Sequence, residues 1–279
     1  MFYMKPTMRL VTFIGFVATH FIWSLLSPIR AEQPVRPRLA SVLQPYIDSH
    51  TLAGAVVLVA DAEKVLDVEA VGWSDIAAGK KMQTDSMFWI ASQSKPMTCS
   101  ALMMLVDEGK VNINDPVEKY LPEFKGQMFI AEKDDSHLLL KKPESVMLVR
   151  HLMSHVSGLP GVTPIMLPKL DALPLFKSVV GNSMIALEAE PGTKYHYSNP
   201  GINTVGRIVE VVSGIPYEQF MSERIFKPLG MIDTTFWPNN EQVSRLAKSY
   251  RPTADKANIE ETPIEQLSYP LDNREDSES

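Results

Sequence analysis

A chain of 279 residues with 45% apolar content and both charge signs well represented can bury a sizeable core, which excludes a disordered or fibrous polypeptide. Its formal charge of −6 argues against nucleic acid as a partner, because binding to a phosphate backbone depends on clustered cations. With a single cysteine, Cys99, no internal disulfide can form, so packing must supply the stability.

In chain order, Lys5 and Arg9 precede the uncharged run LVTFIGFVATHFIWSLL, which is followed by SPIRA. Basic, apolar and small residues in that order predict a secretory signal peptide over residues 1–31 and an exported protein, periplasmic or extracellular. The apolar run is long for a cleaved signal, so the alternative is an uncleaved anchor, with membrane association through residues 10–26. Cleavage would remove Lys5, Arg9 and Arg30 and leave the chain more acidic still. A single domain is expected over residues 32–250, beginning with a linker and short helix over 33–54.

The segment GAVVLVADAEKVLDVEAVGW carries two β-rich runs around a polar turn, the signature of a hairpin. In its second run Leu66, Val68 and Ala70 alternate with Asp67 and Glu69, which predicts a packed face with the first set and a wet face with the second. The expected cover is a helix from Ser94 to Glu108, apolar around most of its circumference and ended by Gly109. Cys99, on that helix, reads as a small buried hydrophobe. NDPVEKYLPEF follows as a loop, and EKDDSHLLLKKPES, without a persistent period, reads as an exposed excursion.

VMLVRHLMSH predicts a short helix, and Ile202, Val205, Ile208, Val209 and Val212 recur at helical spacing up to Gly214. Tyr217 to Ile225 predicts one more helix, broken by Pro228-Leu229-Gly230. Residues 251–279 lose apolar periodicity and read as a polar, solvated tail. Two good strands at the front have no strand-rich counterpart behind them, and a lone hairpin is marginal, so the domain is expected to be incomplete.

The chemistry centres on IASQSKPMTC, where Ser92 and Lys95 stand three apart at a helix start. Serine is favoured at such starts for capping alone, and an SxxK spacing arises by chance in a chain of this length, so the context decides. A serine hydroxyl needs a base within reach, and i,i+3 spacing puts Lys95 on the same face as Ser92. A lysine with a pKa of about 10.4 must first be depressed to accept a proton. Tyr197, with Asn199 in the YSN triplet of EPGTKYHYSNPG, offers a second route. A phenol with a pKa of about 10 beside an ammonium is pushed toward phenolate, so either group can take the proton while the other holds it. The backbone N–H of Ser92, at a helix N-terminus, would face the developing oxyanion, where such a donor is worth roughly 3 to 4 kcal/mol.

His151 and His155 have the four-residue spacing of a zinc pair, but the glutamate of an HExxH motif is absent. No metal and no cofactor are expected. His196, beside Tyr197, reads as a cleft-wall residue.

IASQSKPMTCSALMMLVDEGKVNINDPVEKYLPEF, HLMSHVSGLP, PGTKYHYSNPGINTVGRIVEVVSG and IFKPLGMIDTTFW follow one another in an order seen in one family. The chain resembles the serine β-lactamase-related proteins: class C β-lactamases, low-molecular-weight penicillin-binding proteins and β-lactamase-like carboxylesterases. The resemblance covers roughly residues 40 to 250 and implies an α+β fold of the β-lactamase/transpeptidase type. It implies Ser92 as acylated nucleophile, Lys95 as its base partner and Tyr197 as the phenol of the YxN element. Gln93 is implied as a substrate-contacting residue, and Asn199 as a contact of either substrate or Lys95. It also implies a small-molecule or cell-wall-derived substrate, hydrolysed through an acyl-enzyme as an ester or amide. The family's third element, a KTG-like or HxG-like triplet on a late strand, has no match after Asn199. The expectation is therefore a chain shortened at its C-terminus, without the late sheet strands and with doubtful activity. The alternative from another class is a noncatalytic pseudoenzyme that binds cell-wall peptides.

Overall fold

The computed structural model describes residues 38–167 and 173–264; the expected signal peptide or anchor lies outside them. Helix α1 (Leu39–Asp48) is followed by the expected hairpin, β1 (Gly54–Ala60) and β2 (Val65–Asp75), and by the short β3 (Lys80–Lys81). These three strands form one antiparallel sheet in the order β1-β2-β3.

The face of β2 turned inward is the opposite of the one its alternation predicted. Leu66 and Val68 are 52% and 41% exposed, whereas Glu69 is only 9% exposed. The cause is α1, whose first turn is tied to the Glu69 carboxylate: Arg38 Nε donates to it at 3.0 Å and the Ala40 N–H at 2.6 Å. A carboxylate at a helix N-terminus satisfies a donor that has no partner within the helix. Gly72, at φ +76, lies against Ile47 of α1, where an added Cβ would fall 2.8 Å from Ile47 Cδ1. The helix expected to cover the sheet instead makes the centre of the second layer.

That helix is α2 (Ser94–Asp107), whose Thr98, Ala101, Leu102 and Leu105 are buried. Pro96 falls in its first turn, where no intrahelical N–H bond is lost. The chain continues into a second hairpin, β4 (Phe129–Lys133) and β5 (Leu138–Lys141), which runs into the stretch read as an exposed excursion; β5 is indeed exposed, but it is a strand. Asp134 closes the reversal by accepting from the N–H groups of Ser136 and His137 at 2.8 and 2.7 Å. Its exposed leucines, Leu138 to Leu140, gave the sequence no amphipathic period.

The predicted short helix is α3 (Val149–Met153). It is followed by α4 (Leu175–Ser183) and by the predicted amphipathic helix, α5 (Asn199–Ser213). Ser198 caps α5 by accepting from the Gly201 N–H at 3.0 Å, and Gly214 at φ +76 ends it. α2 and α5 pack side by side, with Leu102, Leu105, Val205, Ile208 and Val209 in one core that also takes in Phe220 and Met221. Those last two belong to α6 (Tyr217–Met221), which continues as a π turn over Ser222–Phe226.

After α7 (Asn240–Ser244) the chain returns to the first layer. Ala247 donates to Met87 O at 2.9 Å, Met87 to Arg245 O at 3.0 Å, and Lys248 to Ser74 O at 2.8 Å. Part of the expected polar tail is then a third hairpin, β6 (Ser249–Pro252) with β7 (Ile259–Thr262). Arg251 pairs across the strands with Glu260 at 2.8 Å, Lys248 just before β6 reaches Glu261 at 3.0 Å, and most of the other positions are polar, so the segment lacked the apolar alternation of a strand. Residues beyond 264 lie outside the described part. Among the described residues no helix is long and apolar enough to cross a membrane.

Candidate active site

The return segment at Arg245–Ala247 fixes Met87, and from there the chain climbs toward α2. Ala91 takes a left-handed φ of +46, and the turn Ala91–Gln93 is a single 3-10 turn whose Gln93 N–H donates to Ile90 O at 3.0 Å. Ser92 therefore stands just before α2, exposed, while Lys95 lies in the helix's first turn. The three-residue spacing closes as the sequence predicts: Lys95 Nζ donates to Ser92 Oγ at 2.9 Å. Gln93, also expected at the site, is exposed beside Ser92.

Tyr197 reaches the same oxygen from the loop before α5. Its hydroxyl donates to Ser92 Oγ at 2.7 Å, and Lys95 Nζ lies 4.9 Å from the ring centroid. Burial acts to raise the Tyr197 pKa, but hydrogen bonds to Lys95 and Ser92 and the lysine's charge outweigh it and hold the phenol below its ordinary value. The two motifs, 105 residues apart, thus share one atom.

The loop carrying Tyr197 is clamped by residues 155–161. Ser198 Oγ donates to Pro160 O at 2.8 Å and the Asn199 N–H to Gly161 O at 3.2 Å. The His196 N–H donates to His155 O at 2.8 Å, and the Ser198 N–H to His155 Nδ1 at 3.1 Å. Sequence reasoning weighed His155 only as half of a zinc pair. In the structure His155 and His151 each use Nδ1 to accept a main-chain N–H, His151 from Leu148 at 3.2 Å. Among the described residues no three or more His, Cys, Asp or Glu side chains converge as a metal site. His196 Nδ1 pairs with Glu188 Oε2 at 2.7 Å.

Burial first, and then a nearby cation (Arg150 for His151, Lys95 for His155), lowers the pKa of both imidazoles. Each is neutral in the fold and takes up a proton more readily when unfolded. Their contribution to stability is thus complete above the unfolded value of about 6.5 and is lost as pH falls through the lower folded values. The thermal midpoint is expected to drop on acidification from about pH 6.5 to pH 5, before the carboxylates titrate. A midpoint that holds steady or rises across that window would contradict this.

A cavity of about 450 Å³ opens beside the trio, with Lys95 and Asn199 among its lining residues. Its other walls include Phe88, Trp89, Met97, Phe236 and Trp237. Sequence reasoning missed this chamber. Its signal was aromatic residues in segments with neither helical nor strand period, FWIAS and TTFWP.

A protein-family model described as Beta-lactamase matches residues 39–269. Protein Rv1367c of Mycobacterium tuberculosis is 34% identical over 214 residues, 73% of this chain and 52% of that protein. The D-alanyl-D-alanine-carboxypeptidase/endopeptidase AmpH of Escherichia coli is 29% identical over 239 residues, 81% of this chain and 58% of its own. Among solved structures, EstCE1, a hydrolase with promiscuous acyltransferase activity, superposes with a TM-score of 0.67 at 29% identity, covering 80% of this chain and 57% of that one. The chain spans about half the length of the curated relatives it matches.

Proposed function

Because the chain belongs to the beta-lactamase family, we propose that it acts as a serine hydrolase through an acyl-enzyme, with Ser92 as nucleophile and Lys95 and Tyr197 as its proton-handling partners. The observation that carries this reading is the convergence of Lys95 Nζ and Tyr197 OH on Ser92 Oγ, at 2.9 and 2.7 Å. The lowered pKa of Tyr197 supports the phenolate as the acceptor, with Lys95 as the cation that sustains it. Ser92 Oγ attacks the substrate carbonyl as its proton passes to Tyr197; the same proton then goes to the leaving alcohol or amine as the acyl bond breaks. Water, activated by Tyr197 in turn, releases the acid and restores Ser92. Asn199 and Gln93 are the substrate-contacting residues in this reading, supported by Asn199 lining the cavity and by Gln93 lying exposed beside Ser92.

For substrate class, a general esterase or amidase is favoured over a dedicated β-lactamase. The apolar walls of the cavity suit an acyl or alkyl group, and the names of the relatives include a carboxypeptidase and an esterase. Hydrolysis of a short-chain nitrophenyl ester is expected to exceed that of a chromogenic cephalosporin, with both lost in Ser92→Ala. Rapid turnover of the cephalosporin alone would overturn the preference, and turnover that survives Ser92→Ala would overturn the mechanism.

A further inference from the structure

His155 makes more contacts with the Tyr197 loop than support of a turn requires. Its carbonyl accepts the N–H of His196 and its Nδ1 the N–H of Ser198, at 2.8 and 3.1 Å. The N–H groups of the residues on either side of Tyr197 therefore both end on one residue. The imidazole also lies against the Tyr197 ring, centroids 4.6 Å apart with a 33° tilt, and meets Tyr195 edge-on at 6.0 Å. To hold this pose His155 adopts a left-handed φ of +59, a conformation that costs a non-glycine residue about 1 to 2 kcal/mol.

Resting on the assignment of Ser92 as nucleophile, we propose that His155 is a positioning residue: its neutral imidazole is the platform that keeps the Tyr197 hydroxyl on Ser92 Oγ, and protonation of that imidazole releases the tyrosine. Since Nδ1 accepts from Ser198, the ring's own proton belongs on Nε2. A second proton, on Nδ1, turns the acceptor into a donor facing another donor, and the bond to Ser198 is lost. The titratable groups that face the ring are Lys95 from α2 and the phenols of Tyr195 and Tyr197; the His196–Glu188 pair adjoins it along the loop. Burial and then the charge of Lys95 hold the imidazole below its ordinary value, so the platform is intact at neutral pH.

The test uses three variants of the full chain. His155→Asn keeps an oxygen acceptor near the position of Nδ1 and tolerates a left-handed φ; His155→Phe keeps a ring without the acceptor; His155→Ala keeps neither. Two quantities are read: the rate at which a fluorophosphonate probe labels Ser92 across pH, and the tyrosinate absorbance of Tyr197, isolated by subtracting the titration of Tyr197→Phe.

In the unsubstituted chain the labelling rate is expected to fall with acid first as one proton, on Tyr197, and then more steeply as two, when His155 is protonated. His155→Asn is expected to lose the steeper limb and label about tenfold more slowly at neutral pH. His155→Ala and His155→Phe should label about a hundredfold more slowly, the cost of an ångström of misplacement, with the Tyr197 titration moved up to that of an ordinary tyrosine. A Tyr197 titration unmoved in His155→Ala would overturn the proposal. Should His155→Ala and His155→Phe fail to melt cooperatively, His155→Asn decides, and its retention of the two-proton limb would overturn it equally. If the unsubstituted chain does not label at Ser92 at all, the hydrolase reading fails, while the Tyr197 titration still decides the role of His155.

Discussion

Replacing Lys95 with methionine is expected to slow acylation of Ser92 by two to four orders of magnitude, and Tyr197→Phe to do nearly the same. Loss of a positioned acid–base group typically costs that much, and both groups bond to the single oxygen that must lose its proton. Methionine preserves the length and apolar stem of Lys95 in the first turn of α2, so the helix start should remain in place. The more informative variant is the double one. Against burial, which raises it, the phenol is held below its ordinary pKa by hydrogen bonds to Lys95 and Ser92 and then by the lysine's charge; removing Lys95 removes two of these, so the two groups act as a unit. Effects of such units are strongly non-additive. The double variant should therefore be little slower than the worse single one. Single-turnover labelling of all four forms measures this; a double effect equal to the product of the single effects would show that the two groups work independently.

Gly158→Ala should destabilise the fold by about 2 to 5 kcal/mol and slow labelling of Ser92 as well. Gly158 sits at φ +83, and a Cβ there would fall 2.1 Å from the backbone oxygen of Ala189 and 3.3 Å from Leu187 Cβ. A left-handed alanine costs about 1 to 2 kcal/mol, and forcing apart atoms that cannot swing aside adds about 1 to 3 more. Any shift also strains the 2.7 Å bond from the Glu188 N–H to Gly158 O. Because Pro160 and Gly161 are two and three residues on, and bond to Ser198 and Asn199, the displacement passes to the Tyr197 loop. Denaturant melts and probe labelling of the same variant check both parts. Unchanged stability would show that the segment can move aside, and lost stability with full labelling would show that it does not carry Tyr197.

The elements legible in the sequence were those whose burial repeats along the chain. α2 and α5 present apolar residues at helical spacing and end on glycines, and the Ser92–Lys95 contact is a direct consequence of helical geometry. What stayed hidden depends on contacts between distant residues. Glu69 alternates as an exposed residue would, yet Arg38 and Ala40 bury it, and this reverses the face of β2. The β6–β7 hairpin carries mostly polar and charged side chains on its backbone ladder, which in sequence look like a solvated tail. Tyr197 was reachable through the family resemblance, since nothing local to YSN says that its hydroxyl meets an oxygen 105 residues earlier. The role of His155 was further out of sight, because the bond that defines it joins its ring to a backbone N–H 43 residues away.

With Ser92 as the proposed nucleophile, Ala91 sets stability and activity against each other at one position. Its φ of +46 is the bend that presents Ser92 ahead of α2, and an alanine sustains it at a cost that glycine would not pay. A screen rewarding heat resistance alone would therefore accept glycine at residue 91, with relief on the order of 1 kcal/mol. The same exchange frees the backbone next to the nucleophile to leave the pose it now holds, so thermal tolerance would be gained at the expense of turnover. For directed evolution this makes residue 91 a position to keep fixed while stability is sought elsewhere, in the helical layer or at the exposed strand faces.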